Sequence, residues 1–192
     1  MDSLKIPLSA ITEYGVPVDA AVKVAALRPE GAEPLPMAAV RVAVTATLVS
    51  GQVLVRGRLQ GVYVHACDRC LEEAQWPLNL EVLWCFSESA PPARAAERGE
   101  VEVLPDEPDL PRPIAGNEVD LAAAVWEELV LAAPLKYVCD AACRGLCPQC
   151  GVNWNRAACA CGCVEKDTNG ERKAFAKLAD LFRDTIERPT ED

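Results

Sequence analysis

Val40-Arg41-Val42-Ala43-Val44-Thr45-Ala46-Thr47-Leu48 alternates apolar and small or polar residues over nine positions, the period of a half-buried strand. Ser50-Gly51-Gln52 follows as a turn, and Val53, Val55 and Leu59 begin a second strand with Gly57 and Gly61 on the same face. The apolar phase then moves to Val62 and Val64, which predicts a bulge near Gly61. Ala74, Trp76, Leu78, Leu80, Val82, Trp84 and Phe86 mark one face of a third strand, with Glu73, Gln75, Asn79 and Glu81 opposite. Three such runs joined by short turns define an antiparallel meander, with Cys67-Asp68-Arg69-Cys70 in its second turn.

Outward from the meander the pattern weakens. LKIPLSAI near the N-terminus reads as a short strand, and residues 13–37, rich in Pro and Gly, give no clear period. Residues 87–117 hold six of the 15 prolines and many acids, which predicts an exposed, partly disordered loop with one short strand at Glu100–Leu104. Leu121, Val125, Leu129 and Ala132 then recur at helical spacing. Asp120 is the expected N-cap, Pro134 the stop, and the helix (about 119–133) the cover of the sheet. Phe175, Leu178, Leu181, Phe182 and Thr185 or Ile186 predict a terminal amphipathic helix. The expected class is α+β: an antiparallel β-meander or small barrel-like sheet packed by a helix in residues 1–134. A cysteine-rich zinc module and the terminal helix occupy 135–192.

Composition narrows the function. The chain has 192 residues, 51% of them hydrophobic, and 19 Lys+Arg against 29 Asp+Glu, a net charge of −10. A surface so acidic does not grip nucleic acid all over, because phosphate is repelled from most of it. No run approaches the roughly 18 apolar residues of a membrane span. The N-terminal stretch lacks the pattern of a secretory signal, so a cytoplasmic, reducing compartment is expected.

The chain contains 10 cysteines. Cys139, Cys143, Cys147, Cys150, Cys159 and Cys161 follow the spacing C-x3-C-x3-C-x2-C-x8-C-x-C, and Cys163 comes next. In Cys147-Pro148-Gln149-Cys150-Gly151 two thiols two residues apart, with a glycine after the second, form a metal knuckle. Zinc needs four ligands, so four of these six thiols are expected to bind Zn2+, with the choice open. A binuclear cluster using all six, disulfides, and a thioredoxin-like redox pair are the weaker alternatives. Cys67 and Cys70 share the knuckle spacing and offer a second half-site, against which stands an idle hairpin turn. Cys85, alone in the third strand, reads as structural.

No catalytic constellation emerges. The single histidine, His65, has no motif around it, and there is no GxGxxG or GxxxxGK[ST] loop. Glu127 and Glu128 diverge by about 100° on a helix and make no acid/base pair. The expectation is a protein without enzymatic activity or small-molecule substrate. Lys136, Arg144 and Arg156 face one Asp140 in residues 133–163, so the cysteine module is less acidic than its surroundings. With Arg69 they are the candidate RNA or partner contacts.

Several motifs together resemble the YceD family of large ribosomal RNA subunit accumulation proteins. They are C-x-R-C-L at Cys67–Leu71, the acidic Pro-rich loop, V-D-L…E-E-L-x-L-x-x-P at 119–134, and C-x3-C-x-G-L-C-P-x-C-G-x-N-x-N…C-x-C at 139–161. Family members usually carry Leu between the two asparagines where this chain has Trp154, another apolar plug, and Cys163 lies outside the pattern. The resemblance implies a non-enzymatic role in ribosome biogenesis, supporting accumulation of large-subunit ribosomal RNA. It implies ribosomal RNA or a ribosomal protein in assembly intermediates as partner. The alternative is a zinc-ribbon interaction module in another pathway such as transcription.

Overall fold

The structure is a computed structural model that describes residues 4–88, 111–114 and 116–161. The expected strand at 100–104, the terminal helix and Cys163 lie outside the described residues. The chain's contacts divide into two compact units, residues 1–68 with 72–139, and residues 69–71 with 140–192.

The first unit is built on β2 (Val16–Lys23), β3 (Ala39–Val49), β4 (Gln52–Ala66), β5 (Glu73–Ser87) and β6 (Arg112–Pro113). They form one five-stranded sheet in the order β2-β3-β4-β5-β6. Every pair is antiparallel except β5–β6, where Phe86 and Ser87 meet Arg112 and Pro113 in parallel. Among the described residues the sheet is open, a meander rather than a closed barrel. A separate two-stranded ribbon pairs β1 (Lys5–Pro7) with β7 (Glu118–Asp120). Among the described residues the unit also has the α-helices α1 (Val24–Leu27) and α2 (Ala122–Leu131).

Period-2 burial sets the register. Val40, Val42, Val44 and Ala46 of β3, Val53, Val55 and Leu59 of β4, and Val82, Trp84 and Phe86 of β5 are buried on one face. They join Leu121, Val125 and Leu129 of the α2 region in one core. Burying each such aliphatic or aromatic side chain contributes about 1.5–3 kcal/mol, which outweighs the modest strand propensity of an Ala-rich chain. Gly57 permits the close approach of β3 and β4. A Cβ there would sit 2.2 Å from the Ala43 carbonyl oxygen.

Four local expectations change. β4 shows no bulge, since its register on β5 is unbroken through Gly61↔Leu78 and Val62↔Pro77. Tyr63 holds the core phase while Val62 and Val64 point outward. Within residues 13–37, Val16, Val18, Ala20 and Val22 alternate in β2, and Val24 and Leu27 of α1 are buried. The helix begins at Ala122 rather than 119, because Glu118–Asp120 pair with β1. Asp120 still accepts the Ala122 N–H, at 2.9 Å. Nor is most of the helix buried: Ala124, Val125, Trp126 and Leu129 are, while Val130 and Leu131 are exposed.

Candidate metal centre

The turn after β4 presents the first thiols. The Cys67 N–H donates to the Glu72 carbonyl at 2.8 Å, closing the turn, and Leu71 takes a left-handed φ of 61°. Residues 137–139 return beside it. The Asp68 N–H donates to the Tyr137 carbonyl at 2.7 Å, and the Tyr137 N–H donates to Asp68 Oδ2 at 2.8 Å. Trp76 Nε1 donates to the Val138 carbonyl at 3.2 Å, and the Cys139 N–H points to Cys67 Sγ at 3.3 Å. Packing fixes this return. Tyr137 lies edge-on to Trp76 at 5.0 Å and stacks on His65 at 4.7 Å, so the one histidine is an aromatic contact. Tyr63, buried beneath, donates its hydroxyl to the Leu129 carbonyl at 2.6 Å, and burial raises its pKa to about 12.

In the second unit, residues 69–71 organise the loop at 141–146. Arg69 Nη1 donates to the carbonyls of Ala141 and Cys143, at 3.2 and 3.0 Å. Its own carbonyl accepts the Leu146 N–H at 3.2 Å. Gly145 sits against that carbonyl with φ of 75°, and a Cβ there would lie 2.9 Å from the Arg69 oxygen. Arg69, read from the sequence as a partner contact, therefore serves the loop that carries Cys143.

The knuckle itself is closed by backbone bonds. The Gly151 N–H donates to the Cys147 carbonyl at 2.9 Å, and the Cys147 N–H to the Val152 carbonyl at 2.8 Å. Leu146 and Asn153 form a bridge, and the Trp154 N–H donates to the Gly145 carbonyl at 3.0 Å. The two asparagines act in this frame. Asn155 Oδ1 accepts the Arg144 N–H at 2.7 Å while its Nδ2 points to Cys143 Sγ at 3.3 Å. Asn153 Oδ1 accepts the Asn155 N–H at 2.9 Å. Trp154 Nε1 points to Cys159 Sγ at 3.5 Å, so Trp154 is more than an apolar plug.

Two sets of four thiols result. The sulfurs of Cys67, Cys70, Cys139 and Cys143 all lie within 4.8 Å of one another, and so do those of Cys147, Cys150, Cys159 and Cys161. Each set could hold a metal ion. The sequence reading left six thiols competing for four places; the structure places Cys139 and Cys143 with Cys67 and Cys70 and leaves the other four together. Cys85 joins neither set, its Sγ lying 3.4 Å from Gln52 Oε1.

The donor chemistry suits a thiophilic cation. N–H groups of Cys139, Asn155 and Trp154 point at the sulfurs of Cys67, Cys143 and Cys159, the outer hydrogen bonds that orient metal-binding side chains. Backbone N–H groups, that of Cys150 first, lower the Cys147 pKa to about 6. A hydrogen bond with Cys150, then burial, then the charge of Cys150 raise that of Cys161 to about 12. Neighbouring thiolates repel one another, and a cation among them removes that penalty. Of the basic candidates, Arg144 donates from Nη1 to the Trp154 carbonyl at 3.3 Å, and Lys136 and Arg156 are exposed.

Sheet and thiols together define a class, a small α+β protein carrying paired tetracysteine centres. The profile of the YceD family, described as large ribosomal RNA subunit accumulation protein YceD, matches residues 55–182. The chain belongs to that family. It is 36% identical over 65 residues to a protein of Arabidopsis thaliana named large ribosomal RNA subunit accumulation protein YCED homolog 1, chloroplastic. That match covers 34% of this chain and 19% of the relative. Uncharacterized proteins of Mycobacterium tuberculosis and Mycobacterium bovis are 32% identical over 106 residues, 54% of this chain and 46% of theirs. The chain therefore covers less than half the length of these relatives. No solved structure matches it. Among the described residues no helix is long and apolar enough to cross a membrane.

Proposed function

We propose that this protein is a ribosome biogenesis factor that supports accumulation of large-subunit ribosomal RNA by binding an assembly intermediate, and that it turns over no substrate. The observation that carries the reading is the family match across residues 55–182, which includes both cysteine sets. The name of the Arabidopsis relative points the same way. Its partners are large-subunit RNA or a ribosomal protein, met in the cytoplasm.

The metal in this reading is zinc, one ion in each set. Four thiolates at about 2.3 Å from a tetrahedral zinc lie about 3.8 Å apart, and the sulfurs are already gathered within 4.8 Å. All four ligands come from the chain, the closed coordination of a structural rather than catalytic site. Bound zinc would supply folding free energy here. Cys67, Cys70, Cys139 and Cys143 would hold one ion, and Cys147, Cys150, Cys159 and Cys161 the other.

Gene deletion tests the reading, with precursor and mature large-subunit RNA measured alongside sedimentation of the tagged protein. Accumulated precursor and co-sedimentation with large-subunit intermediates are expected. Unchanged RNA and subunit profiles in cells without a paralogue, and a protein absent from those fractions, would favour a zinc-ribbon module of another pathway such as transcription.

A further inference from the structure

Among the described residues, Arg41, Arg56 and Arg58 are exposed on the face of the five-stranded sheet turned away from the core. The register sets Arg41, Gln60 and Asn79 in one cross-strand row, Ala43, Arg58 and Glu81 with Asp19 in the next, and Thr45, Arg56 and Leu83 in the third. Arg41 pairs with Asp19 at 2.7 Å, and Arg58 pairs with Glu81. Both pairs are more than half exposed, so solvent screens them and each holds its carboxylate only weakly. Arg56 is exposed in the third row, two residues from Arg58 on β4, and makes no ion pair among the described residues. A shallow depression lined by Thr45, Arg56, Gly57, Arg58, Glu81 and Val82 lies at this point.

We propose that this outer sheet face binds the phosphate backbone of single-stranded RNA, with Arg56 as its central contact; the proposal rests on the assembly reading above. In a chain with ten more acids than bases, these rows carry three arginines against two carboxylates. Arg56 and Arg58 stand two residues apart on β4, about 7 Å, a step that suits successive phosphates of an extended strand. A guanidinium gives a phosphate two parallel N–H donors. Ala43, opposite Arg58, leaves headroom there, and Gln60, Asn79 and Thr45 offer neutral donors to sugar and base edges. The rows contain no aromatic side chain on which a base could stack, so binding is led by the backbone and tolerant of sequence.

The test compares full-length wild type, Arg56→Gln, Arg56→Glu and a charge-matched control, Arg28→Glu, which lies off this face. Each is titrated against fluorescein-labelled oligouridylate by anisotropy across a salt series, and each is followed in cells for co-sedimentation with large-subunit precursors. Three arginine contacts give a log–log salt slope of roughly −2 on a single strand. Arg56→Gln is expected to weaken binding about tenfold at low salt and flatten the slope by roughly 0.7. Arg56→Glu should weaken it further, with Arg28→Glu near wild type. No RNA binding by the wild type, or equal binding by all four proteins, overturns the proposal and leaves the assembly reading standing if co-sedimentation persists. Loss of co-sedimentation in Arg56→Glu with unchanged RNA affinity also overturns it and shows that the face receives protein carboxylates. A wild type that binds RNA through Arg56 but never co-sediments keeps the sheet face and removes the assembly reading.

Discussion

Gly145 shows how one residue constrains the second unit. Its φ of 75° is costly for a residue with a side chain, and a Cβ would press on the Arg69 carbonyl, itself held by the Leu146 N–H. Gly145→Ala should destabilise residues 140–161 by about 1–2 kcal/mol, seen as weaker zinc retention against a chelator, while Gly51→Ala, which strains only the β3–β4 turn, leaves zinc retention unchanged. Tyr63 supplies a pH dependence in the first unit. Its folded pKa is raised to about 12 from an ordinary 10, so the folded state holds the proton more tightly. That stability is complete below pH 10 and is lost as pH rises towards 12, with a ceiling on the order of 3 kcal/mol. Urea midpoints of the wild type should fall over that range, and those of Tyr63→Phe should fall less. Residue roles were the least legible part of the sequence. Arg69 between two thiols allowed a role on the thiols, an acid partner or a contact with another molecule, and its hold on carbonyls 72 and 74 residues away was not legible. Asn153 and Asn155 stood out in the family pattern, but only the folded chain shows that they support a thiol and the loop beside it.

Among elements, β3, β4 and β5 were readable because each buries one face, and period 2 survives in the sequence wherever that holds. β2 was missed because Pro17, Ala20 and Ala21 blur an alternation that Val16, Val18 and Val22 nonetheless keep. The start of α2 was misplaced because Glu118–Asp120 satisfy their backbone in β1, a partner more than 110 residues away. The second unit follows another rule. Its buried described residues are Cys70, Cys143, Gly145 and Cys147, so thiols stand where a core of aliphatic side chains would be. On the proposed reading, metal bound to those thiols supplies the folding free energy of this segment. Cys147→Ser should therefore abolish hydrogen-exchange protection across 144–161 while peptides from β3, β4 and β5 keep theirs. Loss of protection in the strands as well would show that the sheet does not fold on its own core.

At the scale of the whole molecule, eight of the ten cysteines fall into two complete sets. Spacing identified the knuckles but not their partners, because C-x2-C and C-x3-C say nothing about which distant pair the chain brings alongside. Cys67 and Cys70 needed the β4–β5 turn and the return at 137–139 before their companions were defined. The most direct measurement is zinc content by elemental analysis of the metal-replete full-length protein, with thiols counted after acid release. Acid releases the metal because protons compete for the thiolates. Two zinc ions per chain are expected, falling to one in Cys147→Ser/Cys150→Ser and to one in Cys67→Ser/Cys70→Ser. One equivalent or less in the wild type, or disulfides linking members of either set, would contradict the account.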